Sequence, residues 1–229
     1  AGFYPLYAVW NNGLRVTAVG GEDSISNLQR SKLVGSVRTY VYTGDRGLDM
    51  DAWFEGLRAG RAFVSTGPLL ELTVNGMMPG ETVELPEGGD TVEIQARVRS
   101  ITPLTDAELV FNGEPVAQTR GTGPLAFNET LEVSESGWLH LRARGDRADR
   151  FPLDAGDAQA FTNPVWISVG SRPPRSVESA EYSIRWIDQL REMAEAWPGW
   201  RSPAERDHVF AQFDEARAIY ERFAAEAGR

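Results

Sequence analysis

From Leu69 onward the chain alternates apolar and polar residues over about a hundred positions, and a period of two admits strands and little else. Residues 91–99 are the clearest stretch: Val92, Ile94, Ala96 and Val98 fall on one side, and Glu93, Gln95, Arg97 and Arg99 on the other. Such a strand is wet on one face and buried on the other, so a second layer has to cover it. Asn75-Gly76 and Asn112-Gly113 mark tight type I′ turns, because both residue types tolerate the positive φ these turns require. Residues 138–144 alternate again, and residues 165–169 make a last strand behind Pro164. The expected sum is an antiparallel β-sandwich.

The flanks read differently. Residues 5–12 suit a short helix with Pro5 in its first turn and Gly13 at its stop, and residues 14–19 (LRVTAV) suit a strand that Gly20-Gly21 breaks. Residues 35–42 form another strand candidate, rich in β-branched and aromatic residues. A helix capped by Asp49 follows, with Met50, Trp53, Phe54 and Leu57 at i, i+3, i+4 and i+7 and Gly60 at its end; residues 62–65 are extended. Behind the sandwich, Pro173-Pro174 resists both helix and ladder. Two helices then follow. Ala180, Ile184, Ile187, Leu190 and Ala194 share a face of the first, and Val209, Phe210, Phe213, Ala216, Tyr220 and Phe223 make a stripe on the second. Ser202, Pro203 and Glu205 read as cap, first residue and reciprocal arm of a capping box. The expected fold is α+β: a terminal piece of an α/β domain over residues 1–66, a β-sandwich over 67–172 and a helical hairpin over 173–229.

Charge and composition narrow the function. With 23 Lys and Arg against 33 Asp and Glu, a formal net charge of −10 and no basic block, the chain is a poor partner for nucleic acid. It has no Cys, which excludes disulfides, thiolate zinc sites and a cysteine nucleophile. No run of about 18 apolar residues is present to span a membrane.

Complete catalytic motifs are missing. His140 and His208 are the two histidines; the first alternates with Arg142 and Arg144, the second has no partner His at i+4, and a structural role is expected for both. No G-x-S-x-G elbow or phosphate loop occurs. Asp23 stands just beyond a strand end, where a carboxylate can reach a cleft and ligate a divalent metal; an Asx-turn or a helix cap would use the same residue.

The order GGEDSISN, LVGSVRTYVY, DAWFEGLRAGRAFVSTGPLLELTVNG, AFTNPVWISV and EYSIRWIDQL resembles the C-terminal portion of the CehA/McbA metallohydrolases, relatives of the polymerase-and-histidinol-phosphatase (PHP) superfamily, over essentially the whole chain. The resemblance implies a metal-dependent hydrolase of a small carbamate, ester or phosphoester, with Asp23 holding a divalent ion whose bound water becomes the nucleophile. It places residues 1–66 at the end of a PHP-type barrel. The family's histidine motifs are absent here and Ser24 stands where members often carry His, so the chain is expected to be inactive alone and to act with an N-terminal catalytic segment. Family habit points to the periplasm or the cell exterior. On this reading Trp10, Trp53 and Phe54 lack partners and present an apolar surface.

A second reading comes from a different class: a non-catalytic β-sandwich module that binds carbohydrate or a protein partner through surface aromatics and loops. Placement separates the two readings: a coplanar exposed row among the seven Trp favours sugar binding, and Asp23 facing a truncated, open cleft favours the enzyme remnant.

Overall fold

In the computed structural model the described residues are 3–22, 34–147 and 157–228. They form α1 (Tyr4–Asn11), β1 (Arg38–Val41), α2 (Met50–Arg58), β2 (Ala62–Ser65), β3 (Leu69–Val74), β4 (Thr82–Leu85), β5 (Asp90–Arg99), β6 (Leu104–Phe111), β7 (Glu114–Arg120), β8 (Leu125–Val133), β9 (Gly137–Arg147), β10 (Asp157–Thr162), β11 (Val165–Val169), α3 (Val177–Glu195) and α4 (Pro203–Ala227). Contacts divide the chain into two units, residues 15–172 and residues 1–14 with 173–229.

The larger unit is a sandwich of unequal layers. The wide sheet has eight strands in the order β1-β2-β10-β9-β11-β4, with β6 on the far edge of β9 and β7 beyond it; the narrow sheet has three, β3-β5-β8. All pairings are antiparallel except β4 with β11, which run parallel because β4 crosses to the wide sheet instead of folding back on β3. The alternation of β5 is realised as expected: Val92, Ile94, Ala96 and Val98 are buried, and the residues between them are exposed. They meet Leu139, Leu141 and Ala143 of β9 in one core. Each fully buried Val or Ile contributes roughly 1.5–3 kcal/mol to holding the layers together. Both Asn-Gly turns form, with φ of 47° and 78° at Asn75 and Gly76 and 50° and 98° at Asn112 and Gly113.

The described residues of the 1–66 stretch do not build the expected barrel end. β1 and β2 pair antiparallel with each other, and β2 pairs with β10, so this stretch supplies two strands of the wide sheet. The reason is the connection: α2 turns the chain back beside β1, with Gly56 so close to the Tyr42 carbonyl that a Cβ there would sit 2.6 Å from it. Residues 15–20 join no ladder among the described residues. Side chains meet their backbone at two points instead: Asn163 accepts from Ala18 N–H at 2.7 Å and donates to Ala18 C=O at 3.0 Å, while the Thr39 hydroxyl accepts from Gly20 N–H and donates to Gly20 C=O, both at 2.9 Å.

In the smaller unit, α3 and α4 form the expected helical pair. Asp49 on α2, Ser176 on α3 and Ser202 on α4 each accept from a backbone N–H of the first turn. The capping box is displaced by one residue, since Glu205 accepts from the N–H of Arg201 rather than that of Ser202. Arg175 ties the unit together: it lies 4.1 Å from the Phe223 ring centroid, donates to Glu226 at 2.6 Å and donates to the Asn12 carbonyl at 2.7 Å.

His140 lies fully buried on β9, on the face opposite the sandwich core, with its ring 5.6 Å from that of Trp138. Burial, reinforced by the Arg142 charge and only partly offset by a hydrogen bond to the Thr162 backbone, lowers its pKa to about 3. The unfolded imidazole takes a proton near pH 6.5 and the folded one refuses it. Stability should therefore fall by about 1.4 kcal/mol per pH unit as pH drops below about 6.5 toward 3. Denaturant titrations of wild type and His140→Leu at pH 7 and 5 check this; the variant should lose less stability between the two.

Candidate binding surface

The unequal layers leave the narrow sheet's β3 with one partner, β5. The Asn75 N–H donates to the Glu93 carbonyl at 2.8 Å, so by alternation Thr73 and Glu71 direct their main-chain groups to β5, and Leu72 and Leu70 direct theirs the other way. Those outward groups have no ladder partner among the described residues. Leu70 and Leu72, only 5% and 4% exposed, are among the residues that line a cleft of about 520 Å³.

The chain folds this way because β2 crosses directly from the wide sheet to β3. Ser65 makes the crossing, donating to the Pro68 carbonyl at 2.5 Å and accepting from Gly67 N–H at 2.8 Å, which gives Ser65 and Gly67 a turn-forming role. The two strands at the edge of the wide sheet then overhang β3. Tyr40 of β1 and Phe63 of β2 are register partners and stack at 4.7 Å with 8° between planes. With Leu70, Leu72 and Met78 they give the cleft apolar walls; Arg61 lies at its margin, exposed and without an ion pair among the described residues. Polar main chain inside apolar walls is costly unless an occupant or water meets it.

Asp23, the sequence-predicted metal ligand, lies outside the described residues. Its neighbour Glu22 is described and is fully engaged: one carboxylate oxygen accepts from the backbone N–H groups of Gly35 and Ser36, the other from the Ser36 hydroxyl at 3.0 Å and the Val37 N–H at 2.5 Å. Burial pushes its pKa up, but these donors outweigh it and the net shift is downward. Among the described residues no group of three or more His, Asp or Glu is placed to hold a metal ion. His208 is exposed on α4, and His140 is buried.

The aromatic surface expected near the start is present in part. Trp10 is fully buried, whereas Phe54 is exposed and Trp53 packs edge-to-face on it at 5.2 Å. In the sandwich unit Trp138 and Trp166 are buried and Trp53 half-buried, so its Trp residues make no exposed row; the exposed Trp186 and Trp197 belong to the helical unit. The cleft and the bare β3 edge carry no sequence motif. Their signal would have been the pairing of each strand, which composition does not encode.

No protein-family profile matches the chain, and no curated protein matches it. A lytic polysaccharide monooxygenase from Jonesia denitrificans, solved by neutron crystallography, aligns over 71% of this chain and 92% of its own at 16% identity, with a TM-score of 0.25. At that score the likeness carries no argument. The resemblance to CehA/McbA and PHP metallohydrolases is accordingly corrected: no profile supports it and the described residues build no barrel. The motifs that suggested it are local signals, a Gly-Gly break, a capped helix and an Asn-Gly turn, which unrelated folds share.

Two outcomes follow from this geometry. Amide exchange followed by NMR should find Glu71 and Thr73 protected and Leu70 and Leu72 exchanging faster. Glu22→Gln should lower stability by on the order of 1 kcal/mol at pH 7, since a neutral amide replaces a half-exposed carboxylate whose contribution solvent already screens. Because the folded Glu22 pKa is depressed, the wild-type advantage should be present above the unfolded value of 4.5 and vanish as pH falls through the lower folded value, as urea titrations of both proteins would show.

Proposed function

We propose that this chain is a non-catalytic binding module whose sandwich takes an extended segment of a protein partner into the cleft, as an added strand on β3. The observation that carries this reading is the coincidence of outward main-chain groups at Leu70 and Leu72 with apolar walls built by Tyr40, Phe63 and Met78. Strand addition needs both: a free edge for affinity and side-chain pockets for alternate residues of the incoming strand. Arg61 adds a preference for a carboxylate at the cleft margin. A protein partner is favoured over carbohydrate because the sandwich presents no exposed Trp platform.

A library of random linear peptides selected on the intact chain tests the proposal. Selected peptides should alternate apolar and other residues and should protect the Leu70 and Leu72 amides from exchange. Phe63→Ala should weaken binding at least tenfold, about 1.4 kcal/mol. A library that yields no binder, or binders that leave those amides exchanging as before, would count against strand addition. Small apolar molecules that fill the cleft while peptides do not would reassign it as a small-molecule pocket.

A further inference from the structure

The first C-terminal helix bears two apolar stripes, and one of them is bare. Ala180 and Ile187 are buried, and on the adjoining edge Asp188 and Arg191 pair with Arg217 and Asp214 of α4. Leu190, which the sequence pattern groups with Ile187, is 44% exposed and belongs to the other stripe. That stripe runs through Tyr182, Trp186, Leu190 and Met193, at i, i+4, i+8 and i+11, toward Trp197 just past the helix end. Its first residue is covered by α1, whose Tyr4 ring meets Tyr182 edge-on at 4.8 Å while its hydroxyl donates to Glu178 at 3.0 Å. Tyr182 in turn meets Trp186 edge-on at 6.4 Å. Beyond that contact the stripe continues uncovered: Trp186 is 48% exposed, Met193 63% and Trp197 60%.

We propose that this bare stretch of α3 is a self-association surface, covered by the same stretch of a second copy of the chain. Two half-exposed Trp residues with Leu190 and Met193 offer roughly 450 Å² of apolar surface per copy, so a two-fold pair buries roughly 900 Å² in total. That lies below the standard size of specific interfaces and fits a weak, transient dimer. One stripe that α1 already packs against at its start is shaped to receive a helix, and a two-fold axis near Leu190 sets each apolar side chain against another of the same set. A membrane surface is a poorer occupant. α3 carries Glu178, Glu181, Asp188, Glu192 and Glu195 against Arg185 and Arg191, in a chain of net charge −10, whereas interfacial helices are rich in Lys and Arg.

Sedimentation velocity of the full chain from about 5 to 500 μM tests this. The expected result is a reversible monomer–dimer equilibrium whose midpoint Trp186→Glu moves at least tenfold upward; Met193→Glu serves the same purpose should the first variant fold poorly by circular dichroism. Because the chain has no Cys, Leu190→Cys introduces a single thiol, and mild oxidation should link two copies through it. A chain that stays monomeric to the top concentration would overturn the proposal. So would a dimer that neither Glu variant weakens, or a monomer whose Trp emission shifts on phosphatidylcholine–phosphatidylglycerol vesicles and no longer does so in Trp186→Glu.

Discussion

Register in the narrow sheet is held by β5, which is paired on both edges and places four apolar side chains against β9. A slip of one residue would bring Glu93, Gln95 and Arg97 into the core, at several kcal/mol for each unpaired charge or amide, so the strand has a single workable alignment. Fixing β5 fixes β3 beside it, and with β3 fixed the direction of every main-chain group on its outer edge is decided. The binding surface is thus a by-product of core packing. It needs no dedicated loop, only a second sheet with fewer strands than the first.

The two sheets also divide the electrostatic labour. Outside the core, on the wide sheet, Arg142 donates to Glu108 at 2.6 Å and Gln118 donates to the same carboxylate at 3.2 Å, so a largely buried acid is met by a charge and an amide. Nearby, His140 remains neutral because the same arginine and the loss of water both disfavour its cation. On the narrow sheet the charges stay wet, where the Arg99–Glu71 pair lies on the solvent face and contributes little to stability. Among the described residues, His140 on the wide sheet and Glu22 are the groups whose lowered pKa ties stability to acid pH.

Much of the architecture was legible in the residues. The alternation of β5, the positive-φ turns at Asn75-Gly76 and Asn112-Gly113, and the caps at Asp49 and Ser202 are local devices, and local devices declare themselves in sequence. What was not legible is partnership. Residues 14–19 have strand composition, yet Asn163, more than a hundred positions away, meets the main chain at Ala18. Leu190 fits the spacing of a buried stripe, yet the helix turns Ile187 inward and leaves Leu190 out. The barrel expectation failed for the same cause: β1, α2 and β2 have the composition of an α/β unit, but the sense in which β2 pairs with β1 is set by the tight return at Gly56.

The attachment of residues 15–20 has a mechanical implication. A strand zipped into a ladder leaves only when several bonds break in concert, but a segment clasped at Ala18 by Asn163 and at Gly20 by Thr39 is fastened at discrete points, and each point is a side chain with its own rotamers. Removing it would leave every ladder of both sheets in place. The free energy of lifting this stretch is therefore separable from that of unfolding the sandwich, and the chain contains, beside its rigid core, a length of β-competent backbone that is buttoned on rather than woven in.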